Sequence, residues 1–196
     1  MKKNSIAILI ILSLVIIDQI VKIWIKTTMS LGELSPVLGN WFNLYFVENE
    51  GMAFGISFGK NIGKLLLSLV RVGVAGFIIY YLFSLIKKQL ASWIVVVTLS
   101  AIIAGALGNI IDSLFYGMIW GYAPFLYGHV VDMFYFTLFR IPDWSPIWGG
   151  QYFFPAIFNV ADACTTVGIF AIIIWNKKFF IQKKEENKIE ENILTE

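Results

Sequence analysis

Four stretches of this chain are apolar for long enough to cross a bilayer, which takes about 20 helical residues for about 30 Å of hydrocarbon. They run approximately over 5–25, 65–86, 91–111 and 154–175. Irregular backbone cannot face lipid, so each run is expected to be helical. The intervening segments 27–64 and 112–153 are rich in Trp, Tyr and Phe, as interfacial segments tend to be. Partial alternation at Trp41, Asn43 and Tyr45 suggests a short strand or cradle in the first of them. The stretch 177–196 carries mixed charge and reads as a solvated cytoplasmic tail. There is no internal repeat, P-loop or GxGxxG. The expected fold is an all-α membrane protein: a four-transmembrane-helix bundle with a small extracytoplasmic β-containing cradle and loops, in one domain over 1–196.

Composition supports the membrane assignment. Of 196 residues, 58% are hydrophobic and 14% charged, with mean hydropathy +0.76; an average soluble domain is roughly 25% charged. A soluble globule with so little charge would expose large apolar patches, and the same figures exclude disorder. The single cysteine, Cys164, excludes an internal disulfide framework and a cysteine-ligated zinc site. With His129 the only histidine, a His-based metal site is not expected. No metal, cofactor or nucleic-acid partner is expected.

The net charge of +2 says little; the placement of the basic residues says more. Nine of the fifteen Lys and Arg are Lys2, Lys3, Lys87, Lys88, Lys177, Lys178, Lys183, Lys184 and Lys188, all at one set of span ends. The positive-inside rule puts these ends, and both termini, in the cytoplasm. A cleavable signal peptide is disfavoured: no small-x-small site follows, and the first apolar run continues past Asp18 to Trp24 and Ile25.

Ionisable residues at membrane depth are costly and point to function. Asp18 and Lys22 lie one helical turn apart, in the favourable acid-then-base order. Span three leaves the membrane carrying Gly105, Asn109 and Asp112, and Asp132 follows among Val130, Val131, Met133 and Phe134. If Pro155 opens span four, Asp162 lies seven residues inside it, about 10 Å below the outer rim. Asn159 shares its face. All these acids lie toward the outer leaflet, as one outward-facing site would require. Asp132 and Asp162 are the best pair for chemistry. Two close carboxylates in a low-dielectric cleft share one proton; the charged one can deprotonate water while the other donates to an amide carbonyl. Which acts as base is open, because the pair titrates as a unit. The plainer alternative is that such acids only make helix–helix hydrogen bonds or ion pairs.

The chain resembles the lipoprotein signal peptidases, also called signal peptidase II. The resemblance lies in DQIVK (Asp18–Lys22), VENEGMAFG (Val47–Gly55), GALGNIID (Gly105–Asp112), VVDMF (Val130–Phe134) and FNVAD (Phe158–Asp162), five blocks in order along the whole chain. It implies an aspartic endopeptidase of the bacterial cytoplasmic (inner) membrane. Such an enzyme removes the signal peptide of prolipoproteins, cutting before a cysteine that carries diacylglyceryl. It implies Asp132 and Asp162 as the catalytic pair, and site residues Asp18, Lys22, Asn49, Gly51, Gly105, Asn109 and Asn159 around them. The implied partners are lipidated prolipoproteins, membrane lipids and globomycin-type inhibitors.

Two departures stand out. The family commonly has Arg after the GN-x-x-D block, where this chain has Ser113; Arg71 of the second span could reach the Asp112 region instead. The spacings Asn109–Asp132 and Asp132–Asp162, 23 and 30 residues, are long for the family. The extra residues include Trp120, Tyr122, Phe125, Tyr127, Trp144 and Trp148, which read as an interfacial lid. His129 and Cys164 are not promoted to the site, and Glu48 and Glu50 are expected to be solvated. The competing readings are a small transporter or channel subunit that binds cations or protons through the same acids, and a non-catalytic assembly factor.

Overall fold

The computed structural model describes residues 2–49, 60–145 and 149–175. The chain is mostly helical with a small antiparallel sheet. In order, the elements are α1 (Lys3–Thr28), β1 (Leu34–Leu38), β2 (Phe42–Asn49), α2 (Lys60–Lys87), α3 (Trp93–Ile111), a π turn (Asp112–Tyr116), α4 (Gly117–Ile119), β3 (Val130–Phe136), β4 (Ile157–Phe158) and α5 (Val160–Ile174). Among the described residues, three helical segments are long and apolar enough to cross a membrane: Lys3–Thr28, Ile62–Lys87 and Trp93–Ile119. Helix α5 is a shorter apolar helix. Gly51 and the tail 177–196 lie outside the described residues.

Helix α1 shows why lipid is its solvent. Leu12, Ile16, Ile20 and Ile23 are exposed, whereas Asp18 and Lys22 are 1% and 0% exposed. Apolar side chains outward and charges inward is the arrangement that hydrocarbon selects.

The last predicted span starts later than expected. Pro155 does not open a helix: Ile157 and Phe158 pair with Tyr135 and Phe134 as β4, and α5 begins at Val160. The side chain of Asn159 donates to the Val131 carbonyl at 3.2 Å, which keeps the chain tied to β3 up to the helix start. Asp162 therefore sits in the first helical turn, where the helix dipole favours a carboxylate, and not two turns down.

The fold divides into two compact units. The first combines Met1–Ile16, Leu69–Ile110 and Ala161–Glu196. Its core is aliphatic: Ala7, Ile11, Leu82, Val95, Val96, Leu99, Ile102 and Ile103. Helices α3 and α5 approach closely at Gly105, where an added Cβ would strike the Ala161 carbonyl and the Thr165 side chain. Small residues permit such backbone contact between membrane helices. At the other end of α1, Lys3 Nζ donates to the Ala91 carbonyl at 2.6 Å.

The second unit combines Ile17–Ser68 and Ile111–Val160. It holds the sheet, in the order β1-β2-β3-β4 with every pairing antiparallel. Ile25, Phe46, Tyr116, Val131 and Met133 form its apolar core. Alongside lies a buried polar network. Lys22 Nζ meets Asp18 at 2.9 Å and Asp112 at 2.7 Å. Gln19 donates to Asp112 at 2.9 Å and accepts from the Tyr116 hydroxyl at 3.1 Å. The π turn brings Asp112, Ser113 and Tyr116 into the interior, a use typical of such insertions. The segment after it folds back along the turn: Gly128 N donates to the Ser113 carbonyl at 2.9 Å. A side chain at position 128 would strike the Asp112 carbonyl, so glycine is required there.

Removing Lys22 would leave two buried acids without their cation. Lys22→Met is expected to destabilise the protein by about 3–5 kcal/mol, read as a clear fall in the thermal unfolding midpoint in detergent. A midpoint equal to that of the unsubstituted protein would show that the ion pairs contribute nothing net.

Candidate active site

Asp132 lies on β3, 5% exposed, opposite Val47 of β2. The β2–β3 register is irregular between Leu44 and Val47, just before that pair; such bulges re-aim neighbouring side chains. Both oxygens of Asp132 accept from asparagine amides. Asn159 Nδ2 donates to Oδ1 at 2.6 Å, and Asn49 Nδ2 to Oδ2 at 3.4 Å. Asn159 is fully buried. Its position follows from β4: the strand pairs Phe158 with Phe134 and ends, leaving the next side chain beside Asp132.

The residue before Asp132 is fixed from two directions. Val131 N donates to Asp112 Oδ2 at 3.2 Å, and its carbonyl accepts from Asn159. The Lys22 network and the asparagine thus meet on the backbone of one residue, and Asp132 is the next. Asp18, Lys22 and Asp112, expected around the site, therefore form one cluster that bears on β3.

In the first unit, half-buried Asp162 opens α5 and accepts from Asn109 Nδ2 of α3 at 2.8 Å. The close approach at Gly105 involves Ala161, the residue before Asp162. Arg71 is half-buried on α2; the cation that Asp112 meets at 2.7 Å is Lys22.

Glu48 corrects an expectation. It is not solvated: its side chain is 14% exposed, forms an ion pair with Lys26, and lies 3.2 Å from His129 Nδ1. Lys26 also sits over the rings of Phe46, Trp120 and Tyr122 at 5.8, 5.2 and 5.1 Å. The Tyr122 oxygen accepts from His129 N at 2.7 Å. Burial pushes the Tyr122 phenol up to about 12, so it is neutral at physiological pH. Gln19 and Tyr116, which complete the Asp112 network, were not expected from the sequence. Their signals were helical spacing: Gln19 is three residues before Lys22, and Tyr116 four after Asp112.

Two carboxylates each held by asparagine amides suit acid–base chemistry. An amide N–H donor orients a carboxyl group by hydrogen bonding to one of its oxygens. Among the described residues no group of His, Cys, Asp and Glu could hold a metal ion.

Known proteins match this chain over most of its length. The family model for signal peptidase (SPase) II matches residues 10–178. A lipoprotein signal peptidase of Porphyromonas gingivalis is 45% identical over 184 residues, covering 84% of this chain and 80% of that protein. One from Amoebophilus asiaticus is 41% identical over 181 residues, covering 86% and 76%. Among solved structures, a bacterial membrane enzyme determined by the in meso method at 2.3 Å superposes with a TM-score of 0.62 at 30% identity, covering 89% of this chain and 88% of that one. On the sequence of its helices and on these matches, the chain belongs to the signal peptidase II family, a family of membrane aspartic peptidases.

Proposed function

We propose that this enzyme removes the signal peptide of prolipoproteins, cutting before a diacylglyceryl-modified cysteine, with Asp132 and Asp162 as its catalytic pair. Relatives at up to 45% identity are named lipoprotein signal peptidases, which supports the substrate class. The observation that carries the pair is local. Asn159, whose amide holds Asp132, stands three residues before Asp162 in the chain. A single short segment thus links the support of one acid to the other acid.

In this mechanism the two carboxyl groups share one proton. The ionised group takes a proton from water as the water oxygen attacks the scissile carbonyl. The protonated group donates its proton to the carbonyl oxygen. Collapse of the tetrahedral diol breaks the C–N bond: the proton gained from water passes to the leaving amine, and a diol hydroxyl returns its proton to the second carboxylate, which restores the shared proton. The products are a signal peptide ending in a carboxylate and a lipoprotein with a free amine on its modified cysteine. Asn159, Asn49 and Asn109 hold the two acids, while Asp18, Lys22 and Asp112 fix β3. Gly51 is assigned to the substrate side on family resemblance alone. No cofactor is needed.

The proposed topology has four spans, α1, α2, α3 and α5 with the residues that follow it, in one membrane domain. Both termini are cytoplasmic and the pair faces the outer leaflet, in keeping with the clustering of Lys2, Lys3, Lys87, Lys88 and the tail lysines. A diacylglyceryl cysteine lies at that leaflet with its acyl chains in lipid. Globomycin-type cyclic lipopeptides are expected to compete for the same site. Arg71 is proposed as a second cation toward the Asp112 region.

The test is processing of a lipidated precursor in cells that lack the activity. Asp132→Asn and Asp162→Asn are each expected to lower the rate by about 10²–10⁴-fold, the range of a lost general acid or base. Normal trimming by either variant would refute the pair. Arg71→Gln is expected to slow processing without changing protein level, and an unchanged rate removes Arg71 from the site.

A further inference from the structure

Between β3 and β4, the described residues on either side of 146–148 are tied to one another by backbone hydrogen bonds. Ile141 N donates to the Gln151 carbonyl at 2.8 Å, Gly150 N to the Ile141 carbonyl at 3.0 Å, and Phe153 N to the Phe139 carbonyl at 2.9 Å. Arg140 bridges to Tyr152, and its Nε donates to the Gly150 carbonyl at 2.8 Å. Phe139 and Phe153 stack with centroids 4.7 Å apart. The result is a two-stranded ribbon with its large side chains outside: Leu138, Phe139, Trp144, Tyr152, Phe153 and Phe154 are all exposed, Trp144 by 84%. Its described charges, Arg140 and Asp143, lie 3.7 Å apart and cancel. None of these residues has a part in the acid–base chemistry.

We propose that this ribbon is an aromatic anchor seated in the headgroup–acyl boundary of the outer leaflet. The occupant of its apolar surface is the lipid itself. Three observations select lipid. Tyr and Trp carry an apolar body and a polar edge, which suits the boundary layer. A ribbon whose charges cancel enters that layer without burying an unpaired ion. The ribbon is also continuous with a membrane element: Phe154 is six residues from Val160, the start of apolar α5, and six residues reach at most about 20 Å. An aromatic seam extends it across the sheet, from Phe154 to Phe158 at 6.1 Å, Phe158 to Phe136 at 5.8 Å and Phe136 to Trp41 at 6.0 Å.

The consequence concerns where the enzyme cuts. The ribbon continues directly from β3, the strand that carries Asp132. Anchoring it to the boundary layer fixes the depth of that aspartate relative to the lipid surface, and so the level at which a lipidated cysteine can be met. This inference rests on the proposed topology, in which α5 enters from the outer side.

The test uses the full-length protein in phosphatidylcholine nanodiscs. In a Cys164→Ala background, Trp144→Cys and, separately, Phe153→Cys are labelled with a small fluorophore. The expected result is loss of emission with lipids that carry a doxyl quencher near the headgroup, and protection from aqueous iodide. Lipid quenching with residual iodide quenching still supports the anchor. Iodide quenching without lipid quenching places the ribbon in water and overturns it; quenching by neither means that protein covers the ribbon and overturns it too. Precursor cleavage, measured on the same samples, separates the two proposals. A lipid-quenched but inactive protein counts against the peptidase reading alone, and an active protein with a water-exposed ribbon counts against the anchor alone.

Discussion

A carboxylate taken out of water costs several kcal/mol unless donors meet it, and this constraint shapes the second unit. Asp112 is fully buried and accepts from Lys22, from Gln19 and from the backbone N of Val131. Lys22 in turn is shared with Asp18. The network thus does more than satisfy its own charges: its last bond is to the strand that carries Asp132. From the other side, Asn159 takes the Val131 carbonyl and the Asp132 carboxyl with a single amide. Asp132 is placed by the pairing demands of its neighbours.

The same logic accounts for the local irregularities. The π turn at Asp112–Tyr116 places the acid and the tyrosine inside, where an uninterrupted helix would shift their register. Gly128 lets the returning chain pass over the Asp112 carbonyl. The late start of α5 leaves Asn159 extended beside β3 and Asp162 in the first helical turn. Each departure from regular structure falls beside one of the polar residues, a pattern expected where a site constrains the fold.

The helical framework was legible in the sequence because the cost of exposing backbone to lipid leaves few options for a long apolar run. The segments about 5–25 and 65–86 lie inside helices that extend only a few residues further, and 91–111 matches α3 to within two residues at its start. The acid–lysine pair at Asp18 and Lys22 was legible too, since helical spacing alone puts them on one face. The sheet was largely hidden. Its strands are short, and β4 has only two residues, too few for alternation to register. For the same reason Pro155 was misread as a helix start. Glu48 was misread as solvated because its partners, Lys26 and His129, are 22 and 81 residues away, and no local pattern encodes such pairings. Asn49 entered through family resemblance and Asn159 through the helical face it was expected to share with Asp162; that they hold the two oxygens of Asp132 is visible only in the structure.

The central claim is that Asp132 and Asp162 work as a pair with one proton between them, and the rate of precursor cleavage against pH tests it most directly. Ionisation of the first group supplies the base, so the rate should rise with pH; ionisation of the second removes the acid, so it should then fall. The account predicts a bell with two limbs, and replacing either aspartate should abolish the profile and not merely shift it. A rate that climbs steadily with pH and never turns down would contradict the shared proton.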